Sequence, residues 1–309
     1  MKRAAVLCLL LVTSIAAPRA QGTAPRMDGY PEPGAPPIIN LLSAGSGPRT
    51  ALRFAIPQSY KGHLDMSMQM SMSMEMGGAS MPAVTIPTMT IGCDVAVTNV
   101  AANGDVSYTL AFTGATIAPD AEPTLAAALQ GLDGEMKAIK GAVTVSNRGV
   151  TRDMKLDQGK SANSQFSQLL GQLSNQAQSL SLPLPEEEIG VGARWDVRQA
   201  IVNGGVQIFQ RSEYELAAVD GKAATLNVKI EQTAPAQSLS NPALPPDATV
   251  RLLTMTGSGS GTTTIAFDSL LPTSTASMDS TTSMEISMGG SQQTMSTKAS
   301  IKMSLAPKK

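Results

Sequence analysis

Between Leu64 and Met76 every second residue is leucine or methionine: Leu64, Met66, Met68, Met70, Met72, Met74 and Met76 alternate with Asp65, Ser67, Gln69, Ser71, Ser73 and Glu75. A period of two puts all of these apolar side chains on one face of an extended strand, whereas a helical period spreads them around a cylinder. At about 3.3 Å per residue the segment reaches ~43 Å, far beyond a strand of five or six residues. A strand this long needs equally long neighbours, so the chain is expected to build a large, curved sheet.

The same period recurs downstream. Val84 and Ile86, then Met89, Ile91, Cys93, Val95 and Val97, continue the alternation with a slip of phase near Pro87, which predicts a bulge. Asn103-Gly104 suits a hairpin turn, and Val106, Tyr108, Leu110 and Phe112 alternate after it. A further hairpin is expected from Val143 through Asn147-Arg148-Gly149 to Leu156, and strands resume near Trp195, Val206, Tyr214 and Ala224 and run almost to the C-terminus. Gly257-Ser258-Gly259-Ser260-Gly261 lacks the lysine and helix of a phosphate loop and predicts a bulge or sharp bend. Met74-x-Met76-Gly77-Gly78 is echoed by Ile286-x-Met288-Gly289-Gly290, as a degenerate duplication or chance within a biased composition would give.

Two stretches change period. Pro123 suits a first helical turn, Leu125, Leu129, Leu132, Met136 and Ile139 follow at helical spacing, and Gly141 is placed to stop the helix. A second helix is expected over 163–180, with Phe166, Leu169, Leu170 and Leu173 on one side and Pro183 beyond its end. The expected fold class is mainly β: a large curved antiparallel sheet or half-barrel covered by two inserted amphipathic helices, near 123–140 and 163–180.

Met1-Lys2-Arg3 and the apolar run Ala4 to Val12 read as a signal peptide over residues 1–20, too short to span a bilayer. Residues 21–47, with Pro25, Pro31, Pro33, Pro36 and Pro37, read as a flexible leader, and 48–306 as a single β-rich domain. No later segment is apolar for the ~18–20 residues that a spanning helix requires, so an exported protein, periplasmic or extracellular, is expected. Without residues 1–20 the chain keeps 20 of its 23 basic side chains against 24 acids, a balance that argues against a nucleic-acid partner.

Chemistry-bearing residues are scarce. Cys8 falls in the leader, which leaves Cys93 as the one cysteine of the mature chain, read as a small buried hydrophobe. His63 is the one histidine, with no nucleophile motif beside it. Glu186-Glu187-Glu188 reads as a solvated turn, and the basic stretch from Lys137 to Lys160 as a solvated face or a contact for anionic headgroups. No catalytic residue, metal site or cofactor is assigned.

Leu41-Leu42-Ser43-Ala44-Gly45-Ser46-Gly47-Pro48-Arg49-Thr50-Ala51-Leu52-Arg53-Phe54 and Leu182-Pro183-Leu184-Pro185-Glu186-Glu187-Glu188-Ile189-Gly190-Val191-Gly192-Ala193-Arg194-Trp195 resemble an uncharacterised family of secreted bacterial β-rich proteins, which implies no activity. The expected architecture is also similar to the half-barrel of LolA-like lipoprotein and lipid carriers, a likeness of fold that fixes no residue.

The sequence thus points to a non-enzymatic exported protein that holds a lipid or other apolar small molecule. Leu64, Met66, Met68, Met70, Met72, Met74 and Met76 are the expected sheet side of the ligand site, and Leu125, Leu129, Leu132, Phe166 and Leu170 its lid. Methionine suits such a face because its unbranched thioether re-packs around varied guests. Two other readings stay open: a structural or partner-binding envelope protein whose methionines fill a core, and soft-metal binding, Cu(I), by thioethers.

Overall fold

The computed structural model describes residues 25–118, 132–157, 182–239 and 249–308. The first half comprises β1 (Ile38–Ser43), β2 (Ser46–Thr50), β3 (Lys61–Met76), β4 (Ala79–Ser80), β5 (Val84–Val100), β6 (Val106–Ile117), helix α1 (Leu132–Lys137), β7 (Lys140–Val145) and β8 (Thr151–Asp157). The second comprises β9 (Ile189–Val191), β10 (Arg194–Asn203), β11 (Val206–Asp220), β12 (Ala223–Ala234), β13 (Gln237–Leu239), β14 (Thr249–Ala266), β15 (Thr273–Met288) and β16 (Ser291–Lys308). Fourteen strands form one antiparallel sheet in the order β1-β10-β11-β12-β14-β15-β16-β3-β5-β6-β7-β8, with β13 beside β14 and β4 beside β3. β1 and β8 end the order without pairing each other, so the sheet is open, and β2 with β9 makes a separate ribbon.

Directly paired residues of an antiparallel ladder share a face. One row therefore runs Met66, Leu305, Ser274, Thr263, Leu226, Leu216 across the inner face. The neighbouring row, Ser67, Ser304, Thr275, Thr262, Asn227, lies on the outer face. The two-face alternation read from the methionine segment thus continues in register from β3 to β12, with Ser274 and Thr263 interrupting the apolar inner row. The slip near Pro87 is a register shift of β5 against Met68 and Met70 of β3. Gly77-Gly78 and Gly289-Gly290 each turn a hairpin with positive φ at both residues, which a side chain would oppose.

The interior is densest at one end, where Trp195, Leu216, Leu226 and Ile265 pack with Leu52, Leu184 and Ile189. Trp195 is fully buried, stacks on Tyr214 with ring centroids 5.5 Å apart, and donates its indole N–H to the Pro183 carbonyl at 2.9 Å.

The structure corrects four expectations. Helical cover is not borne out: the described residues hold one helix, the six-residue α1, and the stretch expected to be helical over 163–180 lies outside them. Gly141 does not stop a helix; it sits inside β7 opposite Leu110 and Leu156, where a Cβ would come within 2.8 Å of Leu156 Cδ2. Gly257, Gly259 and Gly261 form no bend but continue the ladder between β12 and β15, all on the inner face, where a Cβ on Gly259 would lie 2.6 Å from the Ser277 carbonyl oxygen. The proline-rich leader joins the fold before residue 48: Ile38 to Ser43 pair with β10, Gln207 Nε2 donates to the Pro25 carbonyl at 2.8 Å, and Tyr30 meets Phe209 edge to face at 5.3 Å. Proline bars a ladder without barring packing, and the run Ile38-Ile39-Asn40-Leu41-Leu42 restores strand propensity.

Candidate apolar ligand site

Two extended segments cross the inner face at its dense end. Phe54 N–H donates to the Asn147 carbonyl at 2.8 Å and Ala55 N–H to the Phe267 carbonyl at 2.7 Å, which pins residues 52–56 between the β7–β8 turn and the end of β14. Leu184 N–H donates to the Arg148 carbonyl at 2.8 Å, which anchors the second segment beside the first. The β7–β8 turn is in turn fixed by Ser146, whose hydroxyl accepts from Val150 N–H at 3.1 Å and Arg148 N–H at 3.3 Å.

Beneath these segments lies a cavity of about 280 Å³. Its sheet wall comes from Leu64 and Met66 of β3, Ile91, Cys93 and Val95 of β5 and Leu110 and Phe112 of β6; Phe54, Ile56, Leu182 and Leu271 face them. Few polar atoms enter it. Ser269 lines it, and its Oγ accepts from Leu271 N–H at 3.1 Å and lies 2.8 Å from Tyr60 Oη, which is outside the lining. Burial pushes the Cys93 thiol up to about 11 and the Tyr108 phenol up to about 12, so both are neutral at physiological pH. In this apolar wall the half-buried Cys93 packs as a small hydrophobe. Concave, apolar and carrying a handful of oriented polar groups, the site has the makeup of a small-molecule pocket.

Only part of the expected ligand face reaches it. Leu64 and Met66 line the cavity. Met68 borders a shallow trough of about 470 Å³ whose other members, including Gln69, Ser260, Thr262 and Lys302, are chiefly outer-face residues. Met70, Met72, Met74 and Met76 share the inner face, half-buried, beyond the cavity. Of the expected lid, Leu132 opens α1, whereas Leu125, Leu129, Phe166 and Leu170 lie outside the described residues. Met136 and Ile139, from the same expected helix, are buried against Ile91.

Other walls of the cavity were legible only in part. Tyr108 follows the alternation read along β6, whereas Leu271 comes from an irregular segment; the alternation of Leu52-Arg53-Phe54-Ala55-Ile56 predicts a half-buried strand, but these residues form none and reach the cavity as an extended crossing segment. Two polar clusters on the outer face were not legible in advance. His63 Nδ1 lies 2.6 Å from Asp94 Oδ1 and its Nε2 3.1 Å from Asp65 Oδ1, while Lys308 Nζ donates to Asp65 Oδ2 at 2.5 Å. The hydrogen bond to Asp94, aided by Asp65, raises the His63 pKa, and the bond from Lys308 lowers that of Asp65. On β10 the fully buried Asp196 accepts from Arg198 Nε at 2.6 Å and Arg211 Nε at 3.4 Å through Oδ2.

These features define a class: an open, mainly antiparallel β-sheet protein curled around an apolar cavity. Residues 131–270 match the model of a family described as a family of unknown function, DUF6263. The match covers less than half of the chain and supports the likeness to an uncharacterised family; it includes the Leu182 to Trp195 stretch and excludes the Leu41 to Phe54 stretch. No curated protein matches the chain. No helix among the described residues is long and apolar enough to cross a membrane.

Proposed function

We propose that the protein is an exported, non-enzymatic binder or carrier of a hydrophobic small molecule, held at the Leu64 and Met66 end of the sheet. The cavity of about 280 Å³ beneath the two crossing segments carries this reading. A guest that hides about 200 Å² of apolar surface there gains roughly 5 kcal/mol from burial. A coiled sheet with an apolar concave face also accords with the likeness to LolA-like carriers, and the leader at residues 1–20 supplies the route of export.

The test is titration of the whole protein with N-phenyl-1-naphthylamine, whose fluorescence rises in apolar surroundings. Saturable binding, weakened at least tenfold by Val95→Trp in protein that still melts cooperatively, is the expected result. No binding to a folded protein, with no apolar molecule extracted from protein purified from its own compartment, would favour the filled-core, partner-binding alternative.

A further inference from the structure

The open side of the sheet is a cleft, and two residues of its wall also line the cavity. β1 pairs with β10 only from Ile38 opposite Arg198 to Ser43 opposite Arg194, so Gln199 to Asn203 have β11 on one side alone. Across from Gln199, Ala200, Ile201 and Val202 stands the β8 region from Val150 to Met154, and the space between them measures about 390 Å³. Its rim is Pro33 to Pro37. Pro36 and Pro37 have no N–H to donate, so β1 cannot extend along β10 and zip the cleft shut. Thr151 and Met154 line both the cleft and the apolar cavity, so only these side chains stand between the two spaces there.

The two spaces differ in chemistry. The cavity is walled by aliphatic and aromatic side chains, whereas the cleft presents Arg152, Asp153 and Gln199. Asp153 is paired with Lys155 at 3.3 Å. Arg152 lies at a register shift of β8, is exposed, and has no ion pair among the described residues. An exposed guanidinium in the cleft next to an apolar pocket matches an anionic head at the end of a hydrocarbon tail.

Resting on the binding role proposed above, we infer that the guest is a single-chain amphiphile with an anionic head, its tail in the cavity and its head beside Arg152 in the cleft between β8 and β10. Volume limits the tail. A cavity of about 280 Å³ suits one short hydrocarbon chain better than the two chains of a membrane lipid.

Competition against N-phenyl-1-naphthylamine on the whole protein tests this with decanoate, decyl phosphate, decanol, decyltrimethylammonium and two-chain phosphatidylglycerol vesicles. Decanoate is expected to compete about three- to fivefold better than decanol, the range of an exposed ion pair, and the cationic detergent worse than decanol. Decyl phosphate against decanoate distinguishes a phosphate from a carboxylate head. Arg152→Gln should remove the preference for the anion and leave decanol and the melting transition unchanged; Met154→Trp should weaken every single-chain ligand by narrowing the junction. Equal competition by decanoate and decanol, an anion preference that survives Arg152→Gln, or competition by phosphatidylglycerol as strong as by decanoate would overturn the inference. In those cases binding of the naphthylamine and decanol, sensitive to Val95→Trp, would leave the apolar-binder reading standing; loss of that binding too would remove both.

Discussion

The two ends of the methionine strand share one pattern and differ in what lies over it. At the Leu64 end the inner face is covered by the crossing segments through Leu52 to Ile56 and Leu182 to Leu184, and core clusters form around Trp195 and around Val95 with Leu110 and Val143. At the Met76 end the alternation is as regular, yet none of the core clusters among the described residues contains Met70, Met72, Met74 or Met76, and Met288 nearby is exposed. Leu64, Met66 and Met70 to Met76 are all half-buried, so what the crossing segments add among the described residues is core packing beyond what the pattern provides. Alternation makes a face greasy; another piece of chain must come back to pack it into a core.

The contrast breaks most readily at its strongest point. Trp195→Ala removes a fully buried ring and its hydrogen bond to Pro183, and should cost about 3–5 kcal/mol in denaturant melts. A loss below about 1 kcal/mol would mean that the dense end is not the stabilising core. Next comes the glycine row between the two ends. Gly259→Val places a side chain against the Ser277 carbonyl and the Met278 side chain and should cost about 1–3 kcal/mol, whereas Ser258→Val on the exposed outer face should change stability by less than about 0.5 kcal/mol.

The outer-face cluster beside Leu64 sharpens the comparison through pH. His63 has its pKa raised above 6.5 on folding, so its contribution is complete below 6.5 and fades as pH climbs through the folded value. Asp65 has its pKa lowered below 3.8, so its share is present above 3.8 and fades as pH falls through the folded value. Stability profiles of wild type and His63→Ala should therefore differ most between about pH 4 and 6.5, by no more than about 1 kcal/mol, and converge at pH 9. A gap that widens toward alkaline pH would contradict the geometry. The smallest effect is expected at the Met76 end, where no core cluster of the described residues includes Met74 and Met74→Ala should cost less than about 1 kcal/mol. A loss near that of Trp195→Ala would show that Met74 is core after all.

Much of the sheet was legible because alternation is a local signal. The strands from Lys61 to Val100, the slip near Pro87, the β7–β8 hairpin and the strands around Trp195 and Ala224 all follow from it. The glycines misled because the same residue serves two purposes: Gly141 and Gly259 sit where backbones and side chains crowd, and sequence alone cannot distinguish that from a turn or a bend. The site was half legible. Leu64 and Met66 lie on the marked face, but Phe54, Ile56, Leu182 and Leu271 come from irregular segments whose arrival over that face depends on long-range pairing.

By itself the chain determined its strands and the two unlike faces of the sheet, because alternation acts between residues two apart and needs no partner. The tertiary structure alone decided where the sheet stops, which stretch of its greasy side is roofed, and that a space remains beneath the roof. Those outcomes depend on hydrogen bonds between distant positions, such as Phe54 to Asn147 and Leu184 to Arg148, and on two prolines that keep β1 from running farther along β10.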